Sequence, residues 1–422
     1  MAGIAAGRET RARGSPLRIV ILDGARSIGA KILVAGGGRC NVTHDVVDEG
    51  QYAPVSARNS IRKVLGRLTV AQTIAFFEEL GVSLKREETG KLFPETDRAR
   101  SVLDALLREL ARLDVVIHHP WRVDRISVAE GLFTVESANI PEPAAIKARR
   151  IILCTGGKSL PKSGSDGGGY VIARSLGHSM SARVFPALVP LILRQGHFLT
   201  SLSGIAIPAT LEVRSPTRKR LVSFTNSLLF THFGLSGPAA LDVSRYYTDA
   251  RLDDAASQLV VNFLPGQTVD AVDADLRAAT GSAMSYLRSR LPDRLAEAIL
   301  HEAGVRQANA PSQLPRDTRR RLAEVLVELP LPVDGDRGYT FAEVTAGGVP
   351  LAEIRTETME SRRCPGLHLC GEICDVDGRI GGFNFQWAWA SGHTAGTAAA
   401  KGLMADRGSG DKPANNPWSA AT

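Results

Sequence analysis

A chain of 422 residues is too long for one compact core and fits two or three domains. Hydrophobic residues make up 44% and charged residues 23%, the composition of a globular protein, and the formal net charge of +7 is a mild excess at this length. The basic runs Arg214 to Arg220 and Arg316 to Arg321 are short and not interleaved with aromatic residues, so no nucleic-acid partner is expected. Neither a secretory signal nor an apolar run long enough to cross a membrane is present, so no membrane partner and a cytoplasmic location are expected. The five cysteines, Cys40, Cys154, Cys364, Cys370 and Cys374, are odd in number and irregular in spacing, which argues against a disulfide framework. Cys370 and Cys374 lack a second Cys/His pair, so no metal site is expected.

Residues 2–13 are Ala-rich and suit a helix. The run 18–22, Arg-Ile-Val-Ile-Leu, suits a buried parallel strand ending at Asp23. A glycine-rich stretch follows at 35–43. Val102, Leu106, Leu110 and Leu113 share one helical face. Residues 115–137 then form short β-like runs that include Val123. A second buried strand, 151–154, ends in Thr155-Gly156-Gly157. Residues 199–263 read as β-rich and 268–328 as helical, with Leu291, Leu295, Ala298 and Ile299 in one stripe. A third strand, 366–370, precedes Gly371-Glu372 and a helix from about 383. The tail from about 405 is rich in Gly, Pro, Asn and Ser and is expected to be disordered.

Three strands therefore end in a signal for a dinucleotide. A carboxylate at Asp23 can accept hydrogen bonds from both ribose hydroxyls of an adenosine. Glycines 156 and 157, directly after a buried strand, let the backbone approach a bound cofactor. The strongest signal is Gly371-Glu372, then Asp375, then Gly381-Gly382-Phe383-Asn384. There an acid can bond ribitol hydroxyls, and a helix N-terminus offers free N–H groups and partial positive charge to a reduced flavin ring. Asp375 and Asp377 lack the pattern of a calcium loop.

These blocks resemble a family of bacterial FAD-dependent oxidoreductases that includes aminoacetone oxidase-like and 3-dehydro-bile-acid reductase-like enzymes. The matching segments are 31–43, 155–164, 229–238, and 344–349 onward through Gly396, in the family's order over roughly 1–404. The resemblance implies an α/β fold: a Rossmann-like FAD-binding domain of the two-dinucleotide-binding type, built from 1–188 and 342–404, with a β-rich and helical insert domain at 189–341 that caps the flavin. It places FAD against Gly3, Asp23, Lys31, Gly36, Gly37, Gly38, Arg39, Cys40, Asn41, Val123, Thr155, Gly156, Gly157, Gly371, Glu372, Asp375, Gly381, Gly382, Phe383 and Asn384. In that reading Arg39 neutralises phosphate charge and Asn41 bonds the ring.

Two departures from the family are visible. Only Gly3 matches the opening Gly-x-Gly-x-x-Gly, so the first strand is expected to be missing and FAD binding to be weakened. In the turn 164–169, Gly168 stands where the family has an aspartate, and Asp166 is the candidate substitute. His232 is the candidate proton donor and Cys40 a buried, inert thiol. The expected activity is FAD-dependent reduction of an activated carbon–carbon double bond in a small-molecule substrate, with NAD(P)H as the electron donor left open. The rivals are an oxygen-dependent amine oxidase, a flavin-binding non-enzyme and a nucleic-acid-modifying flavoprotein.

Overall fold

The computed structural model describes residues 1–138, 140 and 145–408. They divide into two compact units, Met1–Phe185 with the chain from Val344 onward, and Pro186–Glu343.

The first unit is built on short parallel strand pairs. Val20–Leu22 runs parallel to Val116–His118, with Val20 opposite Val116. Ile151–Leu153 runs parallel to Leu367–Leu369, with Leu153 opposite Leu369. Parallel neighbours need a crossover, and the helix Ala99–Arg112 supplies one, burying Val102, Leu103, Leu106 and Leu110. The two pairs lie in separate sheets, and Val20–Leu22 and Ile151–Leu153 are each an end strand. This corrects the expectation of strands buried on both faces: Val20, Ile21, Leu22, Ile151 and Ile152 are only half-buried, because an end strand lacks a neighbour on one side.

The C-terminal helix Phe383–Gly408 holds this unit together. Its Trp387, Ala390 and Ala395 are buried. Gln386 accepts from the Thr43 hydroxyl at 2.7 Å and donates to the Leu68 carbonyl at 2.8 Å. Trp389 donates to the Val42 carbonyl at 2.9 Å. The first helix, Ala2–Ala12, lies so close that a Cβ on Gly396 would sit 2.1 Å from the Ala2 carbonyl oxygen. Gly3 faces inward as well: a Cβ there would meet Ile21 Cδ1 at 3.0 Å and Leu110 Cδ2 at 3.2 Å. A glycine at position 3 thus serves the close approach of helix to strand. The C-terminal helix also runs through residues 405–408, expected to be disordered, and Asp406 finds a partner in Arg150 at 2.5 Å. Residues 409–422 of that tail lie outside the described residues.

The second unit is a seven-stranded antiparallel sheet with helices. Its longest pair is Ala206–Arg214 with Arg220–Thr231. Ile207, Ala209, Leu211 and Val213 alternate onto the buried face, as a half-buried strand requires. Within the stretch expected to be β-rich lies a 17-residue helix, Gly237–Asp253. Pro238 opens it, and Ala239, Ala240, Val243, Tyr247 and Ala250 form its buried stripe. Helices Val269–Ala278, Ala283–Arg288, Asp293–Glu302 and Arg316–Val327 follow. Among the described residues no helix is long and apolar enough to cross a membrane.

Candidate functional site

The register that sets Leu153 beside Leu369 also sets two loops side by side. One carries Thr155-Gly156-Gly157 and the other Gly371-Glu372. The Glu372 carboxylate is held at both oxygens: one accepts from the Thr345 backbone N–H at 2.9 Å, the other from Lys31 Nζ at 2.5 Å. Lys31 and Glu372, 341 residues apart, are thus brought together as an ion pair open to solvent on one side. The glycines beside them leave no room for a side chain. A Cβ on Gly157 would lie 2.5 Å from Thr345 Oγ1 and 2.9 Å from Glu372 Oε1. Gly156, at φ +69°, would place one 2.6 Å from Ser165 Oγ. Thr345 Oγ1 in turn accepts from the backbone N–H groups of Lys158 and Ser159, at 2.8 and 3.1 Å. Two hydroxyls, Thr155 Oγ1 and Ser165 Oγ, are buried with no hydrogen-bond partner among the described residues. A bound water or a ligand's polar atoms would satisfy them.

The glycine block lies at the end of the helix that carries Lys31. That helix, Ala30–Gly38, leaves regular geometry at Ala35, and Gly36, Gly37 and Gly38 follow at φ +57°, +69° and +84°. A Cβ on Gly37 would meet nothing within 4 Å, so the backbone there borders open space. Asn41 is buried and its Oδ1 has no partner among the described residues. Other members of the block are committed to the protein. Arg39 pairs with Glu87 at 2.6 Å and Asp97 at 3.6 Å and lies 3.9 Å over the Phe93 ring, so its charge is already balanced. Cys40 is fully buried, which pushes its thiol up to about 12.

At the C-terminal block, Gly382 packs where a Cβ would be 2.6 Å from the Thr43 carbonyl, tying this loop to the glycine block. Phe383 stacks on His44 at 4.8 Å, and its carbonyl accepts from the Tyr52 hydroxyl at 2.7 Å. The Asn384 amide accepts from Gly378 N and donates to Gly378 O, at 2.8 and 2.9 Å. The side chains of Phe383 and Asn384 therefore brace the loop. Asp375 is half-buried, with its N–H donated to the Val349 carbonyl at 2.8 Å.

Asp23 lies at the end of its strand, its carboxylate accepting from Ala25 N at 2.8 Å and its carbonyl from Trp121 N at 2.7 Å. This brings Arg122 against Gly24, with the half-buried Val123 next in the chain. Arg122 pairs with Asp166 at 2.8 Å, and Asp166 also accepts from Gly168 N at 3.0 Å, at the start of the helix Gly168–Ser175. Arg122, Lys158 and Arg174 line an open pocket of about 420 Å³ at this corner. In the second unit, His232 is exposed in the turn after Arg220–Thr231, with its ring edge-on to Phe233 at 5.1 Å. No group of three His, Cys, Asp or Glu among the described residues is placed to hold a metal. Thr345, Ser159 and Ser165 are site residues that motif reading passed over. The signal for Thr345 was its place in Val344-Thr345-Ala346-Gly347-Gly348.

Parallel strand ends that carry glycine turns and a paired carboxylate define a Rossmann-type flavoprotein oxidoreductase of the α/β class. The family model described as "HI0933-like protein Rossmann domain" matches residues 1–398, and the chain belongs to that family. It is 34% identical to the 3-dehydro-bile acid delta(4,6)-reductase of Clostridium scindens over 392 residues, 91% of this chain and 93% of the relative. It is 32% identical to the ribosomal RNA dihydrouridine synthase of Escherichia coli over 381 residues, 89% of this chain and 90% of the relative. A solved quinol–fumarate reductase with menaquinol molecules aligns at TM-score 0.49 and 14% identity, covering 97% of this chain and 70% of that one.

Proposed function

We propose that this chain is an FAD-dependent reductase that adds hydrogen across an activated carbon–carbon double bond, with NAD(P)H as the electron donor. The observation that carries this reading is the Lys31–Glu372 pair beside Gly156 and Gly157, lined by the unpartnered hydroxyls of Thr155 and Ser165. These residues fit FAD: the ribityl chain and pyrophosphate are rich in the hydroxyl donors and anionic oxygens that such a cradle accepts. FAD, when bound, supplies the hydride chemistry. Glu372 accepts from ribityl hydroxyls, and the Lys31 ammonium holds that carboxylate in place. Gly156, Gly157, Gly37 and Gly38 let backbone N–H groups approach the pyrophosphate, Asn41 Oδ1 accepts from the ring edge, and Asp23 accepts from the adenosine ribose. Gly381 and Gly382 open the C-terminal helix, whose first N–H groups favour negative charge. His232 is the proposed proton donor to the substrate carbon.

Double-bond reduction is favoured over amine oxidation because one relative's name is a delta(4,6)-reductase of a 3-dehydro-bile acid and the other's a dihydrouridine synthase of ribosomal RNA, and both name the addition of hydrogen. The second name favours a further reading, in which the reduced alkene is a uridine in RNA. Anaerobic mixing with NADH or NADPH tests the donor through bleaching of the flavin band. Addition of a steroid dienone, a structured RNA or an aminoketone then tests the acceptor. Bleaching by NAD(P)H and recovery with an alkene acceptor is the expected outcome. Bleaching by an aminoketone alone, with recovery only in oxygen, identifies an amine oxidase.

A further inference from the structure

Cys154 and Cys370 each follow directly on one of two paired parallel strands, Ile151–Leu153 and Leu367–Leu369. The Cys370 N–H donates to the Leu153 carbonyl at 3.1 Å, so the register continues through the two cysteines. Their sulfurs are 3.2 Å apart. We infer that Cys154 and Cys370 are a dithiol–disulfide couple, a modification site that takes low-molecular-weight disulfides as its oxidant. Neighbouring strands lie about 4.7–4.9 Å apart, inside the range of about 4.4–6.8 Å that disulfide-bonded Cα atoms occupy. Closing the bond to about 2.05 Å moves each sulfur by only about half an ångström.

The two sulfurs have distinct roles. Cys154 is the exposed one of the five cysteines, and Cys370 is buried. The Cys370 thiol hydrogen-bonds to Cys154 and holds the Cys154 thiol below its ordinary range. Cys154 as thiolate attacks one sulfur of a disulfide R–S–S–R, forms a mixed disulfide and expels RS⁻. Cys370 then attacks the Cys154 sulfur and expels the second RS⁻, which takes up the Cys370 proton as it leaves. Two protein thiols are oxidised to one disulfide, and one small disulfide is reduced to two thiols. The other three thiols do not compete: Cys40, Cys364 and Cys374 are buried, and burial pushes each thiol up. The bond would tie together the strand ends that lead into Thr155-Gly156-Gly157 and Gly371-Glu372. The inference stands on register and sulfur placement and is independent of the cofactor reading.

The test uses the full chain, reduced, desalted and incubated with oxidised glutathione. It is then quenched in acid and alkylated in denaturant. Two of the five thiols should be protected, in a linked peptide joining Cys154 to Cys370, with no glutathione retained, and dithiothreitol should restore all five. Cys374→Ser should still form the link, whereas Cys370→Ala should hold glutathione on Cys154 as a stable adduct. Five alkylatable thiols in the treated parent protein would overturn the inference. So would a link between Cys370 and Cys374, or glutathione persisting on Cys154 of the parent. The parent measurement decides the matter even if a variant fails to fold.

Discussion

Replacing Gly157 with alanine tests how tightly the cradle is packed. The added methyl carbon would sit 2.5 Å from Thr345 Oγ1, 2.7 Å from Thr345 Cβ and 2.9 Å from Glu372 Oε1. Carbon contacts settle at about 3.5–4.0 Å, so the overlap approaches an ångström. Thr345 cannot turn away cheaply, because its hydroxyl accepts from Lys158 N and Ser159 N. Gly157 is not in the left-handed region, so the penalty is steric. Overpacking costs about 1–3 kcal/mol, and each buried N–H left unpaired by a rotated Thr345 adds about 1–3 kcal/mol. We expect a loss of roughly 2–4 kcal/mol in urea unfolding. The control is Gly37→Ala, where nothing lies within 4 Å and only the positive φ is strained, costing about 1–2 kcal/mol. In a Thr345→Ala background the Gly157→Ala penalty should shrink, since the clashing hydroxyl is gone. If Gly157→Ala cost no more than Gly37→Ala, and the Thr345→Ala background made no difference, the packing argument would fail.

Glu372→Ala removes the acceptor of Thr345 N and the partner of Lys31. FAD affinity should fall by about 10–100-fold in a fluorescence titration, as loss of a charged hydrogen bond implies, and equal affinity would count against the role. His232→Gln should lower the rate of alkene reduction by about 10²–10⁴-fold while leaving bleaching by NAD(P)H intact; stopped-flow measurement of the two half-reactions separates them. Glu109 is buried between Arg112 and Arg8, and the hydrogen bond from Arg112, helped by Arg8, lowers its carboxyl from 4.5 to about 2. A depressed carboxyl stabilises the fold fully above its unfolded value and loses that contribution as pH falls from 4.5 toward 2. The parent should therefore lose up to about 3 kcal/mol more than Glu109→Gln between pH 7 and pH 2, read from urea midpoints. Gly396→Ala places a methyl carbon 2.1 Å from the Ala2 carbonyl oxygen. It should destabilise the protein by about 1–3 kcal/mol in the same assay.

Strand ends were legible in the sequence where a short apolar run met glycine, as at Leu153 and Leu369, because burial and backbone freedom are both local properties. The helix Ala99–Arg112 was legible for a similar reason: its stripe of Val102, Leu106 and Leu110 repeats at helical spacing. The helix Gly237–Asp253 was missed because its buried positions mix small and polar residues, Ala239, Ala240, Asp242, Ser244 and Ala250, with few large apolar ones, a weak stripe between two real strands. What each site residue contacts was the harder part. Arg39 beside three glycines looked like a phosphate ligand, and only the fold brings Glu87, Asp97 and Phe93 to it. Gly3 matched a cofactor motif, yet its neighbours are Ile21 and Leu110. Thr345 carries no motif of its own and matters only because Gly157 and Glu372 meet it. Nothing local announces a partner hundreds of residues away, as the Lys31–Glu372 pair illustrates.

The central claim is that the loops after Leu153 and Leu369 form an FAD cradle. Its most direct test is an equilibrium titration of the purified, cofactor-stripped chain with FAD, followed by flavin fluorescence, with circular dichroism confirming that the protein is folded. Saturation at one FAD per chain, weakened in Glu372→Ala, is the predicted result. A folded chain that shows no saturable binding, or binds FAD equally well with and without the Glu372 carboxylate, would contradict it.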